Sequence, residues 1–147
     1  MQKNQLFMAF EVFDGKLYYI SDFGARTRRL QVSNSMVNDG TWQNVELDFR
    51  SKELRLFLTF NRLQQEVDMT KEEFNQAYFN DGLYLGGQPD DFTSWYIWSR
   101  VSAFLGCFGD IVLEDTNTNM AGPIRELPFQ SDMAQLRCVD MNKQCDR

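Results

Sequence analysis

The stretch Val45-Glu46-Leu47-Asp48-Phe49-Arg50-Ser51-Lys52-Glu53-Leu54-Arg55-Leu56-Phe57-Leu58-Thr59-Phe60 decides the fold class. Val45, Leu47 and Phe49 alternate with Glu46 and Asp48, and an extended backbone sends alternate side chains to opposite faces. After Arg50-Ser51-Lys52 the alternation resumes at Leu54, Leu56, Leu58 and Phe60, which predicts a β-hairpin with one apolar face. The same pattern extends outward. Asp14-Gly15 separates a run from Leu6 to Phe13 from a run at Leu17 to Ile20, matching the Asp-Gly signature of a tight hairpin. Asn38-Asp39-Gly40 and Asn80-Asp81-Gly82 read as two further turns. Helical signal is confined to Thr70 with Glu73 three residues on, a capping box ahead of Phe74 and Ala77. A strand is expected around Cys107 to Leu113. The tail from Glu114 to Arg147, with Pro123 and Pro128, reads as mostly loop with one edge strand.

Composition agrees with an all-β domain and removes whole classes of function. The chain has 147 residues, the size of one domain on the usual scale of roughly 100 to 200 residues. It is 43% hydrophobic and 14% aromatic, with 13 Phe, 5 Tyr and 3 Trp, residues that suit half-buried strands. No apolar run is long enough to span a bilayer. Fifteen Lys and Arg against 21 Asp and Glu give a net charge of −6, which repels a phosphate backbone, so nucleic acid is excluded as a partner. With no histidine anywhere, Ser-His-Asp and Cys-His nucleophiles and His-ligated metals are excluded too. Cys107, Cys138 and Cys145 form no C-x-x-C pair, so zinc-knuckle and thioredoxin-type chemistry are absent, and an odd count leaves one thiol free or paired outside the chain. Met1 to Phe10 lack the features of a secretory signal, so an exported parent would carry its signal upstream.

Four phrases in order carry a resemblance. They are Phe7-Met8-Ala9 leading to Asp14-Gly15, then Asn38-Asp39-Gly40-Thr41-Trp42, then Leu83-Tyr84-Leu85-Gly86-Gly87-Gln88-Pro89, then Phe104-Leu105-Gly106-Cys107-Phe108-Gly109-Asp110-Ile111. From about Leu6 to Cys138 the chain resembles a laminin G-like (LNS) domain. The resemblance implies an antiparallel two-sheet jelly-roll sandwich, concanavalin-like, spanning residues 1–138 with its N-terminal strands missing. It also implies an extracellular, secreted or cell-surface protein that binds a protein or glycan and is not itself membrane-spanning. It further implies a disulfide between Cys107 and Cys138. Residues 139–147 would be a tail in which Cys145 begins an EGF-like module. Many members hold calcium on the sandwich rim with an Asp just before the phrase that here reads Phe7-Met8-Ala9. Leu6 stands there and offers no side-chain oxygen, so with only the Phe23 carbonyl and Asn80 remaining, no cofactor is expected.

Three groups are candidates for a site. Glu46 and Asp48 share a strand face about 7 Å apart, a glycosidase-like spacing, but the second Glu that jelly-roll glucanases place one or two residues later is missing. They read as a solvated face, and the chain as no enzyme. Trp95, Tyr96 and Trp98 with Arg100 form the densest aromatic group. Alternation sends either Tyr96 and Trp98 or Trp95 and Ile97 inward, and the outward set is the expected partner-binding rim. Arg26, Arg28 and Arg29 form the compact basic cluster. The functional reading is a site for sulfated or otherwise anionic glycans; the plainer one is a solvated strand face paired with nearby carboxylates.

Overall fold

The computed structural model describes residues 6–76, 97–98, 112–115 and 120–123. The chain divides into two compact units, one of residues Met1–Leu83 with Pro89–Ser102, the other of Tyr84–Gln88 with Ala103–Arg147. In the first unit β1 (Phe7–Phe13), β2 (Lys16–Asp22) and β3 (Thr27–Gln31) form one antiparallel sheet. The strands β4 (Val45–Arg50), β5 (Arg55–Phe60) and β6 (Leu63–Asp68) form a second, followed by the short helix α1 (Lys71–Gln76). The second unit contains the antiparallel pair β7 (Val112–Asp115) and β8 (Met120–Pro123), with Val112 opposite Pro123. The predicted tail strand is thus β8.

Turn chemistry sets the register of both sheets. Phe13 lies opposite Lys16 across Asp14 (φ 49°) and Gly15 (φ 75°), the two positive-φ residues of a type I′ turn. A side chain at Gly15 would also collide with Met36. Phe60 lies opposite Leu63 across Asn61 (φ 46°) and Arg62 (φ 79°), a second tight turn with no glycine. Leu54, expected in the strand, instead closes the four-residue loop between Arg50 and Arg55 with φ 51°. Its carbonyl accepts the Met69 N–H at 2.9 Å.

The two sheets face each other through one core. Leu17 and Tyr19 of β2, Phe23 and Val32 meet Leu56, Leu58 and Phe60 of β5 and Met69, with Met8, Val12, Leu30, Leu47, Phe49 and Val67 at the margin. Apolar burial of this kind stabilises by ~25 cal/mol per Å². This is an all-β sandwich, and the hairpin read from Val45 to Phe60 supplies two of the three described strands of one layer, with β5 central. The reverse face of the first sheet is occupied as well: Glu11 and Ile20 project there, and both are buried.

Candidate functional site

The site grows from β3, whose successive residues point to opposite faces. Arg28 faces the core side of its sheet, opposite Ser21 of β2, and Arg29 faces the reverse side, opposite Ile20. Neither is a solvated cation. The Arg28 side chain is only 9% exposed and forms a bidentate pair with the fully buried Glu73 carboxylate, through Nη1 to Oε2 and Nη2 to Oε1, the latter at 2.9 Å. Its Nη2 also donates to the Asp68 carbonyl at 2.7 Å. Arg26 donates to the same carbonyl at 3.1 Å and lies 3.7 Å from Glu73, but its side chain is 56% exposed.

Glu73 reaches this position through the capping box read in the sequence. The Thr70 hydroxyl accepts the Glu73 N–H at 3.1 Å, and the Glu73 carboxylate accepts the Thr70 N–H at 3.2 Å. Burial pushes the Glu73 carboxyl up, yet the Arg28 fork, the Thr70 N–H and the Arg26 charge outweigh it and leave its pKa below the usual value. Close by, burial lifts the Tyr19 phenol to about 12, against weaker pulls from the Ser21 hydroxyl and Arg28.

On the reverse face, Arg29 Nη1 pairs with Glu11 at 2.7 Å, with side chains 10% and 3% exposed. The guanidinium stacks over two rings, its central carbon 3.4 Å from the Trp98 ring centroid and 4.3 Å from that of Tyr18. Both Glu11 oxygens accept the Trp98 backbone N–H, at 2.9 and 3.2 Å. Phe13 meets the indole edge-on at 5.1 Å and Tyr18 at 5.9 Å. One carboxylate therefore fixes both the backbone and, through Arg29, the ring of Trp98. Even so, Trp98 remains 49% exposed while Ile97 is buried. The alternation thus resolves with Ile97 inward and Trp98 outward.

The structure joins Trp98 and Arg29, which the sequence placed in separate candidate groups. Trp95, Tyr96, Arg100, Cys107, Cys138 and Cys145 lie outside the described residues, as does Asn80. Glu11 was not singled out in the sequence, although a lone carboxylate inside Phe7-Met8-Ala9-Phe10-Glu11-Val12-Phe13 is a legible signal of a buried partner. Glu46 and Asp48 are exposed, and Asp48 pairs with Arg50 at 2.7 Å. At the expected calcium position Leu6 is 40% exposed, and the Asp22 carboxylate is taken up by the Gly24 N–H and the Thr27 hydroxyl, each at 2.8 Å. No cluster of three or more acidic, Cys or His side chains suited to a metal occurs among the described residues. Among the same residues no helix is long and apolar enough to cross a membrane.

The described residues thus define an all-β, two-layer antiparallel sandwich with one indole held half-exposed over the reverse face of a sheet. Residues 1–116 match the laminin G domain family, and the chain belongs to that family. Neurexin-3a of Danio rerio is 28% identical over 152 residues, covering 95% of this chain and 8% of its own length. The chain therefore spans less than a tenth of that relative. No solved structure matches.

Proposed function

We propose that this domain is a non-enzymatic binding module of an extracellular or cell-surface adhesion or matrix protein, and that Trp98 anchors its protein or glycan partner. The observation that carries the reading is the combination of exposure and fixation at Trp98, which is 49% exposed although its N–H and its ring are both held from beneath. An indole ordered before binding loses little entropy on contact, and truncating such an anchor typically costs 2 kcal/mol or more, by an estimate of about that size. In this reading Tyr96 and Arg100, which the alternation groups with Trp98 rather than with the buried Ile97, extend the same rim. Arg26, the exposed arginine of its cluster, supplies a charged contact for an anionic group. Arg28 and Arg29 act by holding the surface, their charges being matched by Glu73 and Glu11. The proposed domain spans residues 1–138 with Cys107 bonded to Cys138, and residues 139–147 lead toward a following module.

The test is a binding screen of the chain against immobilised cell-surface ectodomains and a glycan array, repeated with Trp98→Ala and with Arg26→Gln. A partner whose affinity drops at least tenfold with Trp98→Ala, at unchanged melting temperature, supports the reading. Binding that ignores Trp98→Ala but is lost with Arg26→Gln in a salt-dependent way moves the site to the basic strand. Release of reducing sugar from an oligosaccharide would replace the module with a hydrolase.

A further inference from the structure

Arg26-Thr27-Arg28-Arg29 places arginine at the first, third and fourth of four successive positions, and among the described residues β3 is the outer strand of its sheet, paired with β2. We propose that the Arg29–Leu30 bond is a cleavage site for a serine endoprotease of Arg-x-Arg-Arg selectivity, and that native folding conceals it by matching the arginines with carboxylates inside the domain. This proposal does not depend on Trp98 being a partner anchor.

The chemistry of recognition is the same in both settings. An endoprotease with this selectivity takes its substrate as an extended segment and receives each guanidinium in a pocket lined by carboxylates. In the folded domain those guanidinium groups are already bound to groups of that kind. Arg28, at 9% exposure, is forked onto Glu73, and Arg29, at 10%, is paired with Glu11 and stacked between the Tyr18 and Trp98 rings. Arg26 alone of the three presents most of its side chain to solvent, at 56%. The bond itself lies within the ladder, since Arg29 pairs with Ile20 and Leu30 with Tyr19 of β2.

A protease therefore gains access only when β3 leaves the sheet and both ion pairs open. Two carboxylates on different elements, Glu11 on β1 and Glu73 on α1, must release their arginines together. Cleavage would report failure to complete the fold rather than process the finished domain. Hydrolysis consumes one water, breaks the Arg29–Leu30 amide and leaves a carboxylate on Arg29 and an ammonium on Leu30. The cut divides β3 between two residues that pair with β2, so the sheet could re-form only by association of separate fragments.

The experiment incubates the full chain with a subtilisin-like endoprotease of Arg-x-Arg-Arg selectivity and identifies products by mass. A synthetic peptide of residues 22–35 serves as the unfolded reference. The peptide is expected to be cut after Arg29 while the native chain stays intact over the same period. Glu73→Ala and Glu11→Ala should each raise cutting after Arg29 about tenfold or more, because each raises the population of the open state. Adding Arg26→Gln to Glu73→Ala should suppress that cut. A peptide left whole, a native chain cut as fast as the peptide, or cutting indifferent to Arg26→Gln would overturn the proposal. Should Glu73→Ala fail to fold, it must be cut as readily as the peptide, and resistance would overturn the proposal equally.

Discussion

At the scale of single residues, the domain uses charge inside its sheets. Removing one member of a buried pair leaves an uncompensated charge and costs far more than removing an exposed one. Arg28 and Arg29 are therefore structural in a way that Arg50 and Arg55, paired at the surface, are not. Tyr19 is fully buried in the core, and its hydroxyl has no hydrogen-bond partner among the described residues. Its phenol titrates near 12 in the folded state against 10.0 when unfolded. The unfolded chain thus loses that proton first, and stability falls as pH rises from about 10 to about 12, by roughly 2 to 3 kcal/mol over the window. Tyr19→Phe should leave stability at pH 7 within about 1 kcal/mol of wild type and flatten this alkaline limb, read by urea unfolding across the pH series.

At the scale of elements, α1 is too short to be stable alone, at six residues. It is held by Glu73, which serves both the capping box and the Arg28 fork. Because its folded pKa lies below the ordinary value of 4.5, its contribution is present above that pH and is lost as pH falls through the folded value. Glu73→Gln keeps an acceptor for the cap but removes the charge beside Arg28. It should cost about 3 kcal/mol at neutral pH and shrink the loss of stability below pH 4.5, measured by denaturant titration at both pH values. An unchanged acid limb in the variant would mean that Glu73 does not tether α1 electrostatically. The turns show a related division. Asp14-Gly15 announces itself because glycine accepts positive φ freely, whereas Asn61-Arg62 does not, although both close two-residue hairpins. Asn61 is secured by its side chain, which accepts the Asn44 N–H at 2.7 Å and donates to Gln43 at 2.5 Å.

At the scale of the whole molecule, membership of the laminin G domain family raises the question of rim calcium. Leu6 supplies no oxygen where the resemblance places a carboxylate, and the nearby Asp22 is already hydrogen-bonded through both oxygens. Millimolar calcium should therefore leave the melting temperature unchanged. An ion bound at 100 times its dissociation constant would add about 2.7 kcal/mol, a shift that scanning calorimetry resolves readily. An upward shift reversed by chelator would locate a site on oxygens beyond Asp22.

The sequence by itself determined the class of fold, because strand periodicity and glycine turns are local properties. Alternation fixes Leu47, Phe49, Leu56, Leu58 and Phe60 on the inward face, although Leu54, of the same pattern, leaves the strand for the loop, and Thr70 with Glu73 fixes where α1 begins. It did not determine β6, whose run Leu63-Gln64-Gln65-Glu66-Val67-Asp68 carries little apolar alternation and becomes a strand by pairing with β5. Nor could spacing reveal that Glu11 would meet Arg29 and Trp98, residues 18 and 87 positions away along the chain. Only the tertiary structure decided which arginines are consumed inside the fold and which aromatic ring is left facing solvent. Charge pairing and stacking act across space, between elements whose approach is set by the shared core rather than by their neighbours in sequence.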